Sequence, residues 1–439
     1  MKKVAFYTLG CKVNQYETEA LSRIFEKAGY EVVDFHNQAD VYVINTCTVT
    51  NLSDRKSRQA IRKARGRSKN SKIVVVGCYA QIAPEEVKKI EGVNLIIGSK
   101  DKGKIIEYIK ELDFGTDGLN YVEDITGEQR FEELCIVDVY RERTRAFIKI
   151  QEGCNRFCSY CIIPYARGPV RSRDQDNILR EITSLARGGY KEIVLTGIHI
   201  ASYGRDKGTY GLLKLIKDVH KIEGIERIRL GSIEPTLITE EFAEGIRNME
   251  KVCPQYHISL QSGCDETLKR MNRKYTTQDY KQSVMFLRKK IKDVAITTDV
   301  MVGFPGETDQ EFYETYKFLE QIMFASIHVF KYSPRKGTPA ATYPNQVPTK
   351  KKEERSNRLI NLAAKMKMDY YHNYTGRILP VLFEQEVKGE KGCIEGLTPN
   401  YIRVICEGEK SLEGRIIDVK LKKAEHDHMS GVIMPQNSN

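Results

Sequence analysis

Three observations predict an α/β protein: apolar strands alternating with helical stretches, a proline-bearing break after them, and a closing segment of short apolar runs cut by glycines. Residues 1–111 read as a parallel α/β domain and 112–143 as a linker. Residues 144–345 read as a partial (β/α)6 barrel, 346–373 as a connecting helix, and 374–439 as a small β-barrel. A length of 439 residues suits two or three domains of about 100–200 residues each, and 41% hydrophobic residues can fill their cores.

In the first part, residues 4–9 form an apolar strand ending at Gly10-Cys11, and residues 17–28 carry helical spacing at Leu21, Ile24 and Phe25. Residues 41–45 form a second strand ending at Cys47. A basic helix over 52–65 precedes a strand at 73–76, which ends at Gly77-Cys78, and Pro84-Glu85-Glu86 has the character of a helix start. Parallel strands present their carboxyl ends along one edge, where open α/β folds place ligands. Cys11, Cys47 and Cys78 are 36 and 31 residues apart, yet occupy equivalent positions in consecutive units. Any one alone reads as a core thiol; three together read as a metal site.

The linker holds Gly115, Gly118, Gly127 and Cys135, the last expected to bind nothing. Residues 146–150 then form a strand that runs into Gly153-Cys154-Asn155-Arg156-Phe157-Cys158-Ser159-Tyr160-Cys161. Soft thiolates converging in this C-x3-C-x2-C loop select zinc or an iron-sulfur cluster. A structural zinc site closes with four ligands in paired units. No second pair follows, and three protein ligands leave one metal position open. Three unrelated buried thiols are the plainer alternative, but the polar and aromatic neighbours show no apolar period.

Further strands are expected at 192–196, 227–231, 256–260, 295–302 and 326–332. With the first they make six parallel units, whose active face lies at the carboxyl ends. Those ends carry Gly197-Ile198-His199, Gly231-Ser232-Ile233-Glu234-Pro235, Leu260-Gln261-Ser262-Gly263 with Met271-Asn272-Arg273, and Gly303-Phe304-Pro305-Gly306-Glu307; Asp299 lies in the fifth strand. His199 and His257 read as structural groups. No phosphate-binding glycine loop, GxSxG or HExxH motif is present.

After Tyr332-Ser333-Pro334-Arg335-Lys336-Gly337-Thr338-Pro339-Ala340, a helix over 350–371 has an apolar stripe of Leu359, Leu362, Ala363 and Met366 that suits packing on the barrel. Short apolar runs at 379–383, 401–406 and 415–419, broken by Gly389, Gly392, Gly396, Gly408 and Gly414, suggest the final β-barrel, with Cys393 and Cys406 in its core.

The net charge is +11. Arg55, Lys56, Arg58, Arg62, Lys63, Arg65, Arg67, Lys69 and Lys72 follow Asp54 with no interleaved acid, which forgoes the usual i, i+4 pairing of a solvated helix and points to an acidic polymer. Arg141, Arg143, Arg145, Lys149, Arg156, Arg167, Arg171 and Arg173 outnumber Glu142 and Glu152 around the cysteine loop. Phosphate contacts there would position a nucleic acid and make its binding salt dependent. Eleven cysteines without a secretion signal argue for reduced thiols and ligands. No apolar run reaches the length of a membrane span, so a cytoplasmic protein without a membrane partner is expected.

The cysteine loop and the strand-end motifs resemble the radical S-adenosylmethionine (SAM) enzymes. With Leu9-Gly10-Cys11-Lys12-Val13-Asn14 and Asn45-Thr46-Cys47-Thr48-Val49-Thr50, essentially the whole chain resembles the methylthiotransferases, which insert a methylthio group into an unactivated C–H bond. The resemblance implies that Cys154, Cys158 and Cys161 are catalytic and hold a 4Fe-4S cluster whose fourth iron is chelated by SAM. Tyr160, Gly197, Ser232, Gln261, Arg273 and Asp299 are then candidates around SAM, and Cys11, Cys47 and Cys78 hold an auxiliary 4Fe-4S cluster. It also implies a C-terminal TRAM domain associated with RNA binding, although this segment is close to charge-balanced. An electron donor such as a flavodoxin or ferredoxin and a sulfur source are implied as partners.

Family members act on adenosine beside the tRNA anticodon or on a ribosomal-protein aspartate. The wording around Cys11 and Cys47, followed by Lys56-Ser57-Arg58, most resembles the branch that methylthiolates C2 of N6-threonylcarbamoyladenosine in the anticodon stem-loop. N6-isopentenyladenosine and the aspartate are alternative substrates. A non-enzymatic RNA-binding metal-cluster module is the alternative of another class.

Overall fold

The computed structural model describes residues 1–68, 70–112, 118–134, 144–208 and 211–435. Lys69, Gly115, Cys135, Arg141, Glu142 and Arg143 lie outside the described residues.

The N-terminal domain runs β1 (Lys3–Thr8), α1 (Lys12–Lys27), β2 (Glu31–Val33), β3 (Val41–Thr46), α2 (Asn51–Arg67), β4 (Lys72–Gly77), α3 (Cys78–Ile82), α4 (Pro84–Lys88), β5 (Val93–Ile97), α5 (Ile105–Leu112) and β6 (Leu119–Tyr121). Its parallel sheet has the order β2-β1-β3-β4-β5-β6. The three strands that precede cysteines are therefore neighbours, with Thr8 opposite Asn45 and Thr46 opposite Gly77. Helix α1 starts at Lys12, five residues earlier than the spacing predicts. Its first turns bury Asn14 and Glu17 beside Val13 and Tyr16, so buried polar groups interrupt the apolar stripe that periodicity detects. Helix α2 is capped by Thr50, whose hydroxyl accepts from the Ser53 amide.

Strand β6 falls in the stretch read as a linker, and Ile125 and Leu134 in that stretch are buried. Part of it is thus packed structure, a correction to the linker reading. A strand of three residues is too short for its alternation to stand out.

The central domain contains β7 (Arg145–Glu152), α6 (Ile163–Arg167), β8 (Arg171–Ser172), α7 (Gln175–Arg187), β9 (Glu192–Gly197), α8 (Leu212–His220), β10 (Arg227–Leu230), α9 (Glu240–Arg247), β11 (Gln255–His257), α10 (Asp265–Arg270), α11 (Thr277–Lys290), β12 (Ala295–Val302), α12 (Asp309–Ile322) and β13 (Ser326–Lys331). Two sheets, β10-β9-β7-β8 and β11-β12-β13, are joined by parallel bridges from Ile228 to Val252 and from Ile233 to Ile258. The parallel strands are the six expected; β8 is an added antiparallel return against the end of β7. The strand expected at 256–260 is regular only over Gln255–His257. Gln261, in a left-handed conformation at φ 71°, donates its amide to the Asp299 carbonyl and accepts from the Met301 amide, so the chain bulges at the strand end.

Alternate residues of β7, β9 and β10 point outward into the helix layer, where Ile148, Ile193, Leu195 and Ile228 join the main core. The inward set is covered by α1, whose Tyr16 and Ala20 pack on Phe147 and Val194.

Helix α13 (Thr349–His372) packs on the barrel exterior through Leu359, Leu362, Ala363 and Met366. It leads into a closed barrel of β14 (Ile378–Glu386), β15 (Cys393–Leu397), β16 (Arg403–Glu407), β17 (Ile416–Ala424) and β18 (Met429–Ile433), ordered β14-β15-β16-β18-β17. Cys406 is buried there and Cys393 half-buried. This small barrel sits under the amino ends of β7, β9 and β10. Arg227 donates to the Leu397 and Pro380 carbonyls at 2.9 and 2.8 Å, Arg229 donates to the Pro399 carbonyl at 2.9 Å, and Arg145 pairs with Glu384. Among the described residues no helix is long and apolar enough to cross a membrane.

Candidate active site

Strand β7 delivers the C-x3-C-x2-C loop to the carboxyl end of the barrel. Gly153 makes the turn possible at φ 69°; a Cβ there would lie 1.8 Å from the Pro169 carbonyl oxygen. The Cys154 amide donates to the Gly168 carbonyl and the Cys161 amide to the Cys158 carbonyl, which closes the loop on itself. The segment after α10 lies alongside. Ser159 donates its amide to the Met271 carbonyl, Asn272 donates to the Phe157 carbonyl at 2.9 Å, and Arg273 places Nη1 3.3 Å from the Cys158 sulfur.

Glu234, at the end of β10, pairs with Arg156 at 2.6 Å, His199 Nε2 at 3.1 Å and Arg273 at 3.7 Å. Burial opposes ionisation of Glu234, but His199, Arg273 and Arg156 outweigh it and hold its carboxyl down at about 2. A permanent anion therefore fixes two cations beside the cysteine loop.

Cys11, Cys47 and Cys78 meet at one edge of the N-terminal sheet. Gly10, at φ 111°, permits the close approach: a Cβ there would lie 3.0 Å from the Cys47 Cβ and 3.2 Å from its sulfur. Arg167, at the end of α6, donates Nε to the Cys78 sulfur at 3.0 Å and Nη2 to Asn14 Oδ1 at 2.7 Å. The same guanidinium reaches Glu17 Oε1 at 2.6 Å and Glu152 Oε2 at 3.3 Å, while Lys102 and Lys149 each approach Glu17 at 2.8 Å. This wholly buried charge network joins α1, β7 and α6, so the two cysteine sites are braced against each other. Burial alone would keep Glu17 neutral; Arg167, Lys102 and Lys149 reverse this and hold its carboxyl well below the usual range.

Desolvation pushes the Cys78 and Cys161 thiols up to about 12 and that of Cys154 up to about 11. Without a metal these thiols stay neutral; a bound metal deprotonates a thiol outright. Among the described residues, the group of three ligand atoms within 4.8 Å of one another is formed by His257, Asp299 and His328, and by neither cysteine triad. One tetrahedral zinc with bonds near 2.3 Å draws its sulfurs to about 3.8 Å. The wider triads fit a polynuclear cluster, and the Arg167 and Arg273 guanidinium groups suit its anionic sulfurs.

Residues 3–98 match the Uncharacterized protein family UPF0004, and residues 148–319 match the Radical SAM superfamily. The threonylcarbamoyladenosine tRNA methylthiotransferase MtaB of Bacillus subtilis (strain 168) is 45% identical over 98% of this chain and 96% of its own length. Its Aquifex aeolicus (strain VF5) counterpart is 42% identical over 95% and 99%. The chain belongs to the radical SAM methylthiotransferase family. Another similar protein is the tRNA-2-methylthio-N(6)-dimethylallyladenosine synthase of Clostridium tetani (strain Massachusetts / E88), 37% identical over 95% of this methylthiotransferase and 93% of that relative. The radical SAM methyltransferase TsrM from Kitasatospora setae shares the fold, with a TM-score of 0.57 at 17% identity, covering 78% of this chain and 77% of that one.

The remaining candidates of the methylthiotransferase lie on or after the barrel strands and in the cysteine loop. Tyr160 packs edge-on to Phe304, and burial pushes its hydroxyl well above the usual range. Gly197 ends β9 so close to β7 that a Cβ would lie 2.9 Å from the Gln151 carbonyl oxygen. Ser232 is exposed, and Gln261 lies at the bulge. Asp299 is farther from the cysteines in its contacts, with one carboxylate oxygen 3.2 Å from His257 Nε2 and the other 3.2 Å from His328 Nδ1. His257 thus has a defined partner, and His199 is held by Glu234 and by Ser202 at 2.7 Å.

Sequence reading passed over Glu234, Glu17, Lys102 and the bracing role of Arg167. The one local hint was Pro164-Tyr165-Ala166-Arg167-Gly168 immediately after the cysteine loop.

Proposed function

We propose that this methylthiotransferase modifies C2 of N6-threonylcarbamoyladenosine beside the tRNA anticodon. The observation that carries the reading is the pair of open cysteine triads, braced through Arg167 across the domain boundary. Near full-length likeness to the threonylcarbamoyladenosine enzymes supports the substrate.

Cys154, Cys158 and Cys161 would hold the 4Fe-4S cluster that binds SAM, and Cys11, Cys47 and Cys78 the auxiliary one. When bound, cluster and SAM supply the one-electron chemistry that takes a hydrogen atom from an unactivated C–H bond, which no side chain here can do. The protein's part is placement. Arg273 orients against Cys158, with Tyr160, Gly197, Ser232, Gln261 and Asp299 forming the surrounding SAM pocket. Helix α1 covers the inner barrel face, and the C-terminal barrel closes its floor. The exposed cations of α2 contact RNA phosphates. A cytoplasmic location, a flavodoxin- or ferredoxin-like electron donor and a separate sulfur source complete the reading.

The test is anaerobic. Reconstituted protein, SAM, reductant and a tRNA bearing threonylcarbamoyladenosine are combined, and nucleosides are identified by mass spectrometry. A methylthio product is expected. Formation of 5'-deoxyadenosine alone would overturn the substrate or auxiliary-cluster assignment, and neither product from a fully loaded protein would overturn the enzyme reading.

A further inference from the structure

The inner faces of the two barrel sheets differ in what covers them. On β7 and β9 the inward residues Phe147 and Val194 are buried under α1. On the second sheet Tyr256, Ile296, Val300 and Ile327 point outward into the main core, so alternation turns His257, Asp299, His328 and Phe330 inward. The register sets Asp299 opposite His328 and Met301 opposite Phe330. Yet the His328 side chain is 62% exposed and Phe330 is 47% exposed. A bare aromatic ring with one polar group beside it, on the inside of a barrel, is the lining of a ligand site.

This wall lies between the two cysteine triads. On one side Arg273 spans from the Cys158 sulfur, 3.3 Å from Nη1, to the Ser259 carbonyl, 3.4 Å from Nη2, and Ser259 is two residues beyond His257. On the other, β13 runs on into Ser333, whose hydroxyl accepts from the Asn51 amide at 3.3 Å. Arg335 follows and donates to the Thr48 hydroxyl at 2.6 Å, next to Cys47. A base held on this wall therefore borders both sites.

The hydrogen bonds fix what the wall offers. The Gln255 side chain donates to the Thr297 hydroxyl at 3.1 Å, and that hydroxyl gives its own proton to His257 Nδ1, 3.1 Å away. His257 then donates Nε2–H to one Asp299 oxygen and His328 donates Nδ1–H to the other, each at 3.2 Å. A carboxylate only accepts, which sets the tautomer of His328. Its Nε2 has no partner among the described residues and is left as an acceptor.

Resting on the substrate proposed above, we infer that β12 and β13 form the nucleobase subsite: Phe330 stacks on the adenine, and His328, positioned by Asp299, accepts a hydrogen bond from the N6 side chain. An aromatic ring beside a hydrogen-bonding group is how proteins hold an unstacked base. In a threonylcarbamoyl side chain the urea N–H folds onto ring N1, which leaves the hydroxyl as the donor for His328. A dimethylallyl side chain has no donor, so His328 favours hydroxyl-bearing over alkyl N6 groups.

The test compares two anticodon stem-loop RNAs, one with N6-threonylcarbamoyladenosine and one in which hydrogen replaces the threonyl hydroxyl. Full-length, reconstituted wild-type enzyme is expected to use the deoxy RNA with kcat/KM about 3- to 10-fold lower, the range for one neutral hydrogen bond. His328→Phe is expected to bring the ratio near one by losing activity on the hydroxyl RNA alone. Phe330→Leu is expected to lower kcat/KM on both RNAs by about 10- to 100-fold, as for loss of one base stack, and Phe330→Tyr to keep most of it. Iron content of each variant checks that both cysteine triads are intact. Equal wild-type rates on the two RNAs would overturn the role of His328 without any variant, as would equal losses on both RNAs in His328→Phe. A loss under about 2-fold in Phe330→Leu would overturn the stacking. No methylthio product from either RNA with fully loaded wild-type enzyme would overturn the substrate reading itself and this inference with it.

Discussion

Arg167 Nε stands 3.0 Å from the sulfur of Cys78, and the same guanidinium reaches Glu152, two residues before Cys154. One side chain therefore ties Cys78 to the end of the strand that leads into Cys154. Its substitution to Met is expected to leave Glu17 and Glu152 under-compensated in a dry interior and to destabilise the protein by about 3–5 kcal/mol. Urea unfolding measures this. Arg167→Lys should recover only part, because a single ammonium cannot span Cys78, Asn14 and both acids. Loss under 1 kcal/mol for the Met variant would show that the network is not a brace.

The two triads should load independently. Replacing Cys11, Cys47 and Cys78 with Ala is expected to lower iron from about eight to about four per chain while SAM cleavage persists; the equivalent change at Cys154, Cys158 and Cys161 should halve iron and abolish cleavage. Iron analysis with 5'-deoxyadenosine detection separates the cases, and zinc in place of iron at either triad would contradict the assignment.

RNA binding should depend on salt through α2. Arg55, Lys56, Arg62 and Lys63 are exposed, and among the described residues they have no ion pairs. Changing all four to Gln is expected to weaken tRNA binding and to reduce the slope of log K against log salt by about 3, at roughly 0.7–0.9 per phosphate contact. Fluorescence anisotropy over a salt series reads the slope; an unchanged slope would move the RNA path elsewhere.

Arg335 ties the strand-end motif after β13 to the N-terminal domain, donating to Asp54, Thr48 and Asn51 at 2.6 Å each. Arg335→Ala strands the Asp54 carboxylate and should destabilise the protein by about 3 kcal/mol. The double variant with Asp54→Asn is expected to recover more than 1 kcal/mol of that loss, which denaturant titration can resolve.

Acid should loosen the floor of the barrel. Burial pushes the Glu192 carboxyl up, but Arg229, Arg145 and Arg227 outweigh it and set it below its ordinary value. A depressed folded value means that Glu192 contributes stability above its unfolded value of about 4.3 and loses it as pH falls through the folded one. Thermal unfolding from pH 7 to 3 should show the loss below about pH 4, and Glu192→Gln should flatten it.

The strand ends and both triads were legible because each rests on local pattern: an apolar run, a glycine and a cysteine in succession. The order of units then fixes which ends are adjacent. Glu17 and Lys102 were illegible for the opposite reason. Each looks like an ordinary surface charge until chain segments distant in sequence bury it, Glu17 meeting Lys149 and Arg167. Buried charge also masked the first turn of α1.

The seat of the small barrel has a last consequence. Arg227 and Arg229 grip it through carbonyl groups of Leu397, Pro399 and Pro380, atoms that every residue type carries. Side chains on the gripped segment are therefore free to drift without unseating the domain, whereas the two arginines are not. An exchange of this module between relatives should dock wherever the backbone path is kept.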